Sequence, residues 1–275
     1  MWDFDDSEWF FFVATAVIAA VGGFFYYRFL TRVSLLGKSI HRRALLALLP
    51  IAAVIPTYIV LCRWADARAI GHIDYTALFM IGAAAWVFAA SRTMELLGIS
   101  VHDDAIERDN PAALVAVVAF LMGVGIVYAF SNIGMGPTIW TTIFPALAAT
   151  ILLMLMWLLI ESISRGVVES VTIDRDIATA FRLAGAMIGC AIILGRAAAG
   201  KWVSWDQTWR DLLSYGWPAV ILAMAAAMLQ WAQWPTAAHP RPNVFTRGVV
   251  PALSFVAAGI VVVEFGKNGL HPAQW

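Results

Sequence analysis

Few residues of this 275-residue chain have the types and spacing that chemistry requires. His102-Asp103-Asp104 offers imidazole and carboxylate ligands for a metal. Three adjacent side chains point in different directions on any regular element, and no second cluster completes a site. His-Glu-x-x-His, Gly-x-Ser-x-Gly and Cys-x-x-Cys motifs are absent from the sequence. We therefore predict that the protein is not an enzyme and has no catalytic, cofactor-binding or metal-binding residues.

Ionisable residues in the apolar runs of the sequence stand near the ends of those runs. There we expect their long side chains to snorkel towards water. Proton-coupled transport normally uses a carboxylate or histidine near the membrane centre, and this pattern counts against it. The residues expected to snorkel are Arg92 with Glu95, Glu161, Arg182, Arg247 and Glu264.

Two related charged segments precede apolar runs. Glu107-Arg-Asp-Asn-Pro-Ala-Ala113 stands before the fourth run, and Asp174-Arg-Asp-Ile-Ala-Thr-Ala180 before the sixth. Asp or Asn can cap a helix, and Pro suits its first turn. The same charges could instead form a cytosolic rim that docks a partner or gates a pore. The residues of this predicted rim are Glu107, Arg108, Asp109, Asn110, Asp174, Arg175 and Asp176.

Small residues predict close helix packing. Gly185 and Gly189 form a Gly-x-x-x-Gly face in the sixth run, and Gly123 and Gly125 mark the fourth. In lipid, such faces let helices approach closely and gain dispersion contacts. The contact could lie within one subunit or between subunits.

Tryptophans concentrate on one predicted side of the membrane. Nine of the 13 fall at the outer side, as in an aromatic belt. Within Lys201–Leu213, Trp202, Trp205 and Trp209 follow helical spacing with polar residues opposite. We predict a short amphipathic helix that lies in the outer interface. An aromatic cage for a ligand is the alternative.

The elements that carry these residues are predicted to be transmembrane helices. The chain is 61% hydrophobic and only 13% charged, against about 25% charged residues in soluble domains. About 20 apolar residues span a bilayer as a helix, and continuous Ala- and Leu-rich runs argue against a lipid-facing barrel. The predicted fold is an all-α bundle of about eight spans. They are Trp9–Tyr27, Ala44–Cys62, Thr76–Ser91, Ala112–Phe130, Thr138–Ile160, Ile177–Leu194, Leu212–Gln233 and Gly248–Gly266.

Charge distribution predicts the orientation and the partners. With the N-terminus outside, the inner segments hold 12 of the 18 Lys and Arg residues, many of them in Arg28–Arg43, and the outer segments hold 6. The positive-inside rule then places both termini in the periplasm. Equal numbers of acidic and basic residues, 18 of each, argue against nucleic acid as a partner. The lipid bilayer is the expected environment.

The charged segments also indicate an internal duplication. They are 67 residues apart, and Phe144-Pro-Ala-Leu147 matches Trp217-Pro-Ala-Val220 at an offset of 73. His239-Pro-Arg-Pro-Asn-Val244 is a weaker third match, through Arg241 and Asn243. Each copy holds two spans, so the copies are parallel repeats. The predicted segments are residues 1–43, 44–106, 107–173 (copy one), 174–238 (copy two) and 239–275.

At Glu107–Gly125 the sequence resembles the bacterial inner-membrane family called domain of unknown function 350. The resemblance extends over roughly Glu107–Trp234, with Ile177 and Ala178 in the second copy where the family has Asn and Pro. Extra spans at both ends exceed the usual family size. The resemblance implies two-helix repeats and a bacterial inner membrane but no established activity. Relatives encoded near membrane-stress coat proteins imply a docking role.

Two functions remain open at the level of sequence. The first is a non-enzymatic scaffold, built as a homo-oligomer or with other membrane subunits, that docks a peripheral cytosolic partner and could act in membrane stress. The second is a channel or facilitator for an ion or small solute. Parallel repeats favour the channel, as do Pro145 and Pro218, which could bend paired spans around a path.

Overall fold

The computed structural model describes residues 4–31, 40–65, 71–134, 136–164, 166–233 and 243–269. Within these residues, eight helices are long and apolar enough to cross a membrane. The predicted all-α bundle of eight spans is thereby confirmed. A short additional helix, α6, connects two of the spans. The helices are α1 (Asp6–Thr31), α2 (Ile40–Arg63), α3 (Ile73–Thr93), α4 (Pro111–Ser131), α5 (Trp140–Ile163), α6 (Val167–Thr172), α7 (Ile177–Ala198), α8 (Trp205–Ala232) and α9 (Val250–Gly269).

Four spans form a row through the bundle, in which α2 packs on α4, α4 on α7 and α7 on α9. Because successive spans alternate in direction, these four helices run the same way. Beside the row, α1 packs on α3, and α5 packs on α8 and α7. Of the 18-residue apolar stretch of each span, 72% is buried in the spans of α4 and α7, against 22% in the spans of α1 and α9. The core of the protein is therefore the contact between α4 and α7.

The two ends of the bundle differ in their polar residues. We call the end where α4, α7 and α9 begin the cap end, marked by Asn110, Asp176 and Asn243. At the opposite end, α1 begins with a reciprocal pair of hydrogen bonds. Glu8 N–H donates to Asp5 Oδ1 (2.8 Å), and Asp5 N–H donates to Glu8 Oε2 (3.0 Å). A hydrogen bond from the Ser7 hydroxyl, reinforced by the one from Glu8 N–H, holds the pKa of Asp5 below its usual value.

Two π-helical turns lie at the cap end, at Val101–Glu107 and Phe245–Val249. The third span continues from α3 into a 3₁₀ turn at Met94–Leu97, so it extends beyond the predicted end at Ser91. Gly98 ends this turn in the left-handed conformation (φ 84°). Much of the predicted basic loop, residues 32–39, lies outside the described residues.

The prediction of a separate interfacial helix at Lys201–Leu213 is wrong. Ser204 caps α8, and the helix then runs without a break from Trp205 to Ala232, through Pro218. Its 28 residues extend about 42 Å at about 1.5 Å per residue, beyond the roughly 30 Å of hydrocarbon. The polar residues that suggested a surface helix therefore belong to the first turns of a long span.

Candidate functional site

Asparagine and aspartate begin the two central helices of the row. The Oδ1 atom of Asn110 accepts hydrogen bonds from the backbone N–H groups of Ala112 (2.9 Å) and Ala113 (3.3 Å). Asp176 Oδ1 accepts one from Ala178 N–H (2.9 Å). The helix-capping interpretation of the charged segments is therefore what these residues do locally.

The turns before α4 and α7 share an unusual backbone. The residue before each cap, Asp109 or Arg175, has positive φ (51° and 56°). The N–H of each cap residue donates to a carbonyl six residues earlier (3.2 and 2.9 Å). Asn110 and Asp176 are thus structurally equivalent, at an offset of 66, whereas the sequence match at 67 pairs Asp109 with Asp176. The difference arises because Asn and Asp both make good caps, so residue identity alone does not define the register.

The π-helical turn that leads into α9 begins with the same cap. Asn243 Oδ1 accepts hydrogen bonds from the N–H groups of Phe245 (2.9 Å) and Thr246 (3.3 Å), the pattern that Asn110 makes in α4. The third match in the sequence thus has the same cap geometry as the first. Arg241, the other residue of that match, lies outside the described residues.

Two of the predicted rim residues, Asp109 and Asn110, bind neighbouring helices. Arg42 of α2 pairs with the Asp109 carboxylate (2.8 Å) and donates to the Asp109 carbonyl (2.6 Å). Asn110 is fully buried, and its Nδ2 donates to the carbonyl of Val171 in α6 (2.7 Å). These contacts fix the start of α4 to α2 and to the segment that precedes α7.

The other rim residues face water. Glu107, Arg108, Asp174 and Arg175 are exposed. Arg175 donates to the Arg108 carbonyl (3.0 Å), which links the two turns. Together these four residues form a charged surface at the cap end.

Arg182 of α7 is the main polar residue inside the bundle, with only 2% of its surface exposed. Its Nε donates to Gln230 Oε1 (2.7 Å), and its Nη1 donates to Gln233 Oε1 (3.2 Å) and to the Arg247 carbonyl. Its Nη2 donates to the Thr179 hydroxyl (2.8 Å). Arg182 therefore connects α7 to the end of α8 and to the turn before α9.

The partners of Arg182 also bind one another. Gln230 Nε2 donates to the Thr179 hydroxyl (3.0 Å), which in turn donates to Asp176. Asp176 Oδ2 lies 4.0 Å from Arg182 Nη2. Four of the five guanidinium N–H groups thus have acceptors, and the remaining charge faces a carboxylate. We call this group the Arg182 cluster; most of its donors are used within the described residues to hold helices together.

The prediction that Arg182 snorkels is wrong. Arg182 is the sixth residue of α7, about 8 Å along the helix, and neighbouring helices enclose its side chain before it can reach water. A buried arginine needs several acceptors, which here come from the far end of another span. Gln230 and Gln233 in the seventh run are the signal in the sequence that could have identified this cluster.

His102, Asp103 and Asp104, which the sequence does not predict to be metal ligands, do not converge. Asp104 is buried and pairs with Arg108 (2.9 Å). Instead the π-helical turn brings Glu107 near, and ligand atoms of His102, Asp103 and Glu107 lie within 4.8 Å of one another. Asp103 and Glu107 are exposed, and His102 Nε2 lies 3.4 Å from a carboxylate oxygen of Glu107.

The glycine face of α7 contacts α9 of the same chain. A Cβ atom at Gly185 would lie 2.3 Å from Ala252 Cα, and one at Gly189 would lie 2.6 Å from the Phe255 carbonyl oxygen. Gly259 of α9 in turn faces the Gly189 backbone. The close approach predicted at Gly185 and Gly189 therefore occurs within one subunit.

The two glycines of α4 face different neighbours. A Cβ atom at Gly123 would lie 3.3 Å from Ala191 of α7, whereas one at Gly125 would lie 2.1 Å from the Ala53 carbonyl oxygen of α2. They do not form one face. Each glycine instead lets α4 approach a different helix of the row.

Trp202, just before α8, and Trp205 and Trp209 in its first turns form an aromatic cluster with α5. Trp205 and Trp209 lie edge-on to Phe144 at 4.9 and 5.4 Å, and Trp202 lies 5.5 Å from Trp205. Trp205 and Trp209 are nearly half exposed. These contacts fix α8 to α5 at the opposite end, in the position expected for an interfacial belt.

Fold and site together define a multi-pass α-helical membrane protein whose polar interior residues join its spans. No protein-family model, curated protein or solved structure significantly matches the chain.

Proposed function

We propose that the protein is a non-enzymatic scaffold of the bacterial inner membrane. In this role it assembles with copies of itself or with other membrane subunits, and its cap end docks a peripheral cytosolic partner. The observation that carries the proposal is the Arg182 cluster. A transporter leaves its intramembrane charges available to a substrate or ion, whereas Arg182 uses its donors to lock α7, α8 and the start of α9 together.

Packing at the centre of the row supports the same proposal. Phe120 and Val124 of α4 and Met187 and Ala191 of α7 are all fully buried. Close-packed apolar side chains in this contact leave no room for hydrated ions between the two helices. A rigid frame is what a scaffold needs.

The charged surface at the cap end is the proposed docking site. Glu107 and Asp174 are exposed there and can be altered without replacing the caps, Asn110, which is buried, and Asp176, which is partly buried. Involvement in membrane stress, together with membership of the family called domain of unknown function 350, is part of the proposal and rests on the sequence resemblance.

Duplication is part of the proposal as well. The shared cap and positive-φ turn before α4 and α7 support an origin of α4–α5 and α7–α8 as parallel two-helix copies. Because α4 and α7 stand side by side and run in the same direction, the copies would be related by an axis along the membrane normal.

Both termini are proposed to face the periplasm, with the cap end in the cytosol. The support is the excess of basic residues in the segments at the cap end. Because Cys62 is itself exposed near the end of α2, the test uses a Cys62→Ser background. There we expect an impermeant thiol reagent to label Asp6→Cys in intact cells and to leave Asp174→Cys unlabelled, since the two residues are exposed at opposite ends of the bundle. Labelling of Asp174→Cys alone would invert the topology.

The scaffold proposal is tested by mass and flux measurements on the purified protein. In native-like lipid we expect a mass above that of one chain, from further copies or bound subunits. Liposomes that contain the protein should conduct ions and small solutes no faster than empty ones. Saturable or voltage-dependent flux would overturn the scaffold and establish the channel.

Charge reversal separates docking from assembly. We expect Glu107→Lys/Asp174→Lys to lose any peripheral partner while the mass of the membrane assembly is unchanged. The matched control is Asp206→Lys, at the exposed start of α8 on the opposite end. Equal loss in both variants would contradict docking at the cap end.

A further inference from the structure

A small cavity lies at the opposite end of the bundle, away from the Arg182 cluster. Its volume is about 60 Å³, and its lining comes from α1, the end of α2, α3, and the connection from α4 into the start of α5. The polar residues that line it are Glu8, Tyr75, Asn132, Thr138, Thr141 and Thr142.

The connection between α4 and α5 that forms one wall is held in place from two sides. Gly134 forms a bridge with Ala65 at the end of α2. The Ile133 carbonyl accepts a hydrogen bond from Gly200 N–H (2.9 Å), in the link between α7 and α8. Gly134 has φ 111°, and a Cβ atom there would lie 2.3 Å from the Gly200 carbonyl oxygen. The wall therefore depends on a close backbone approach that only glycine permits.

One polar side-chain atom of Asn132 has no hydrogen-bond partner among the described residues. Its side chain is 5% exposed, and its Nδ2 donates to the Tyr128 carbonyl (2.6 Å). Its Oδ1 is buried and accepts no hydrogen bond from the described residues. A buried amide oxygen normally has a donor or a cation beside it. The corresponding end of α7, in the proposed second copy, carries Ala198 and Ala199, so a polar residue is not required to end such a helix.

The charge of the cavity lining is negative. Glu8 is its only charged residue among those described. The Tyr75 hydroxyl lies 3.1 and 3.2 Å from the two Glu8 carboxylate oxygens, which orients the carboxylate. Oε2 also accepts the bond from Asp5 N–H, but each oxygen has two lone pairs, so acceptor capacity is still unused. A carboxylate, an unpaired amide oxygen and threonine hydroxyls form an all-oxygen set.

We infer that this cavity binds a small monovalent metal cation, with Glu8 and Asn132 Oδ1 as its principal protein ligands. Oxygen ligands suit hard cations, and a single carboxylate matches one positive charge, whereas divalent calcium sites usually gather several. A water molecule needs about 10–15 Å³ of such volume, so the cavity accommodates an ion with a few waters but no larger organic cation. Binding would join α1, α3 and the connection between α4 and α5.

Thermal unfolding in different salts tests the inference. We expect the apparent melting temperature of the purified protein to rise saturably with NaCl or KCl, relative to N-methyl-D-glucamine chloride at equal ionic strength. Glu8→Gln keeps the side-chain shape and an acceptor for Asp5 but removes the charge. It should weaken the apparent affinity at least tenfold, and Asn132→Ala should do the same. Asp6→Asn, an exposed acid in the same turn, is the matched control and should bind as the unaltered protein does.

A direct binding measurement with ²²Na⁺ or ⁸⁶Rb⁺ keeps the inference falsifiable if a variant unfolds. We expect one saturable site per chain, displaced by an excess of the unlabelled cation. Equal melting temperatures in all three salts, or the absence of saturable binding, would overturn the inference. So would equal weakening by Asp6→Asn and Glu8→Gln. None of these outcomes bears on scaffold assembly, which is measured separately by mass.

Discussion

Replacing Arg182 by methionine will lower the free energy of unfolding by about 3 kcal/mol, because removing one partner of a buried charged pair strands the others. Gln230 and Thr179 would each lose a hydrogen bond inside the bundle, and Asp176 would lose its nearby cation. Single hydrogen bonds within membranes contribute only about 0.6 kcal/mol to stability on average. The expected loss is therefore placed at the lower end of the range observed when one partner of a buried ion pair is removed. Reversible unfolding in detergent or lipid, followed by circular dichroism, measures the change.

Two further variants show whether the effect comes from burial. Arg210→Met removes an exposed ion pair with Asp206, in which both side chains are at least 70% exposed, and it should cost less than about 0.5 kcal/mol. Adding Gln230→Leu to Arg182→Met removes one stranded polar group and should restore about 1 kcal/mol. If Arg182→Met is as mild as Arg210→Met, the cluster does not hold the helices.

The second large effect is expected at the contact between α7 and α9. Gly185→Ala/Gly189→Ala should destabilise the protein by about 3 kcal/mol, as overpacking does in a close-packed interior. The added Cβ atoms would clash with the backbone of Ala252 and Phe255, and a backbone cannot relieve a clash by changing rotamer as a side chain can. Helix propensity acts in the opposite direction, since alanine favours a helix over glycine by up to about 1 kcal/mol per residue. A net loss of unfolding free energy can therefore be assigned to the steric clash.

The matched control lies in α8. A Cβ atom at Gly216 would lie 3.3 Å from the end of the flexible Leu194 side chain, so Gly216→Ala should be neutral or slightly stabilising. The mass of the assembly should stay the same in the double alanine variant, since the face lies within one chain. A smaller assembly with unchanged unfolding would instead place this face between subunits.

Local patterns in the sequence were sufficient for the spans and for helix capping. A run of about 20 apolar residues partitions into lipid whatever its neighbours are, and the eight helices follow from such runs. Asn110 and Asp176 cap α4 and α7 because a cap involves only adjacent backbone groups. The close approach at Gly185 and Gly189 was also predicted, since small residues favour it against any partner.

Which residues contact each side chain was decided only by the tertiary structure. Whether Arg182 snorkels or is buried depends on which helices stand beside α7, and its acceptors Gln230 and Gln233 come from the far end of another span. Likewise, the cavity brings Glu8 of α1 and Asn132, just after α4, together with residues of α3 and α5 that are distant in the sequence. Hydropathy and capping act within one helix, whereas the side-chain environments that determine function arise from contacts between helices.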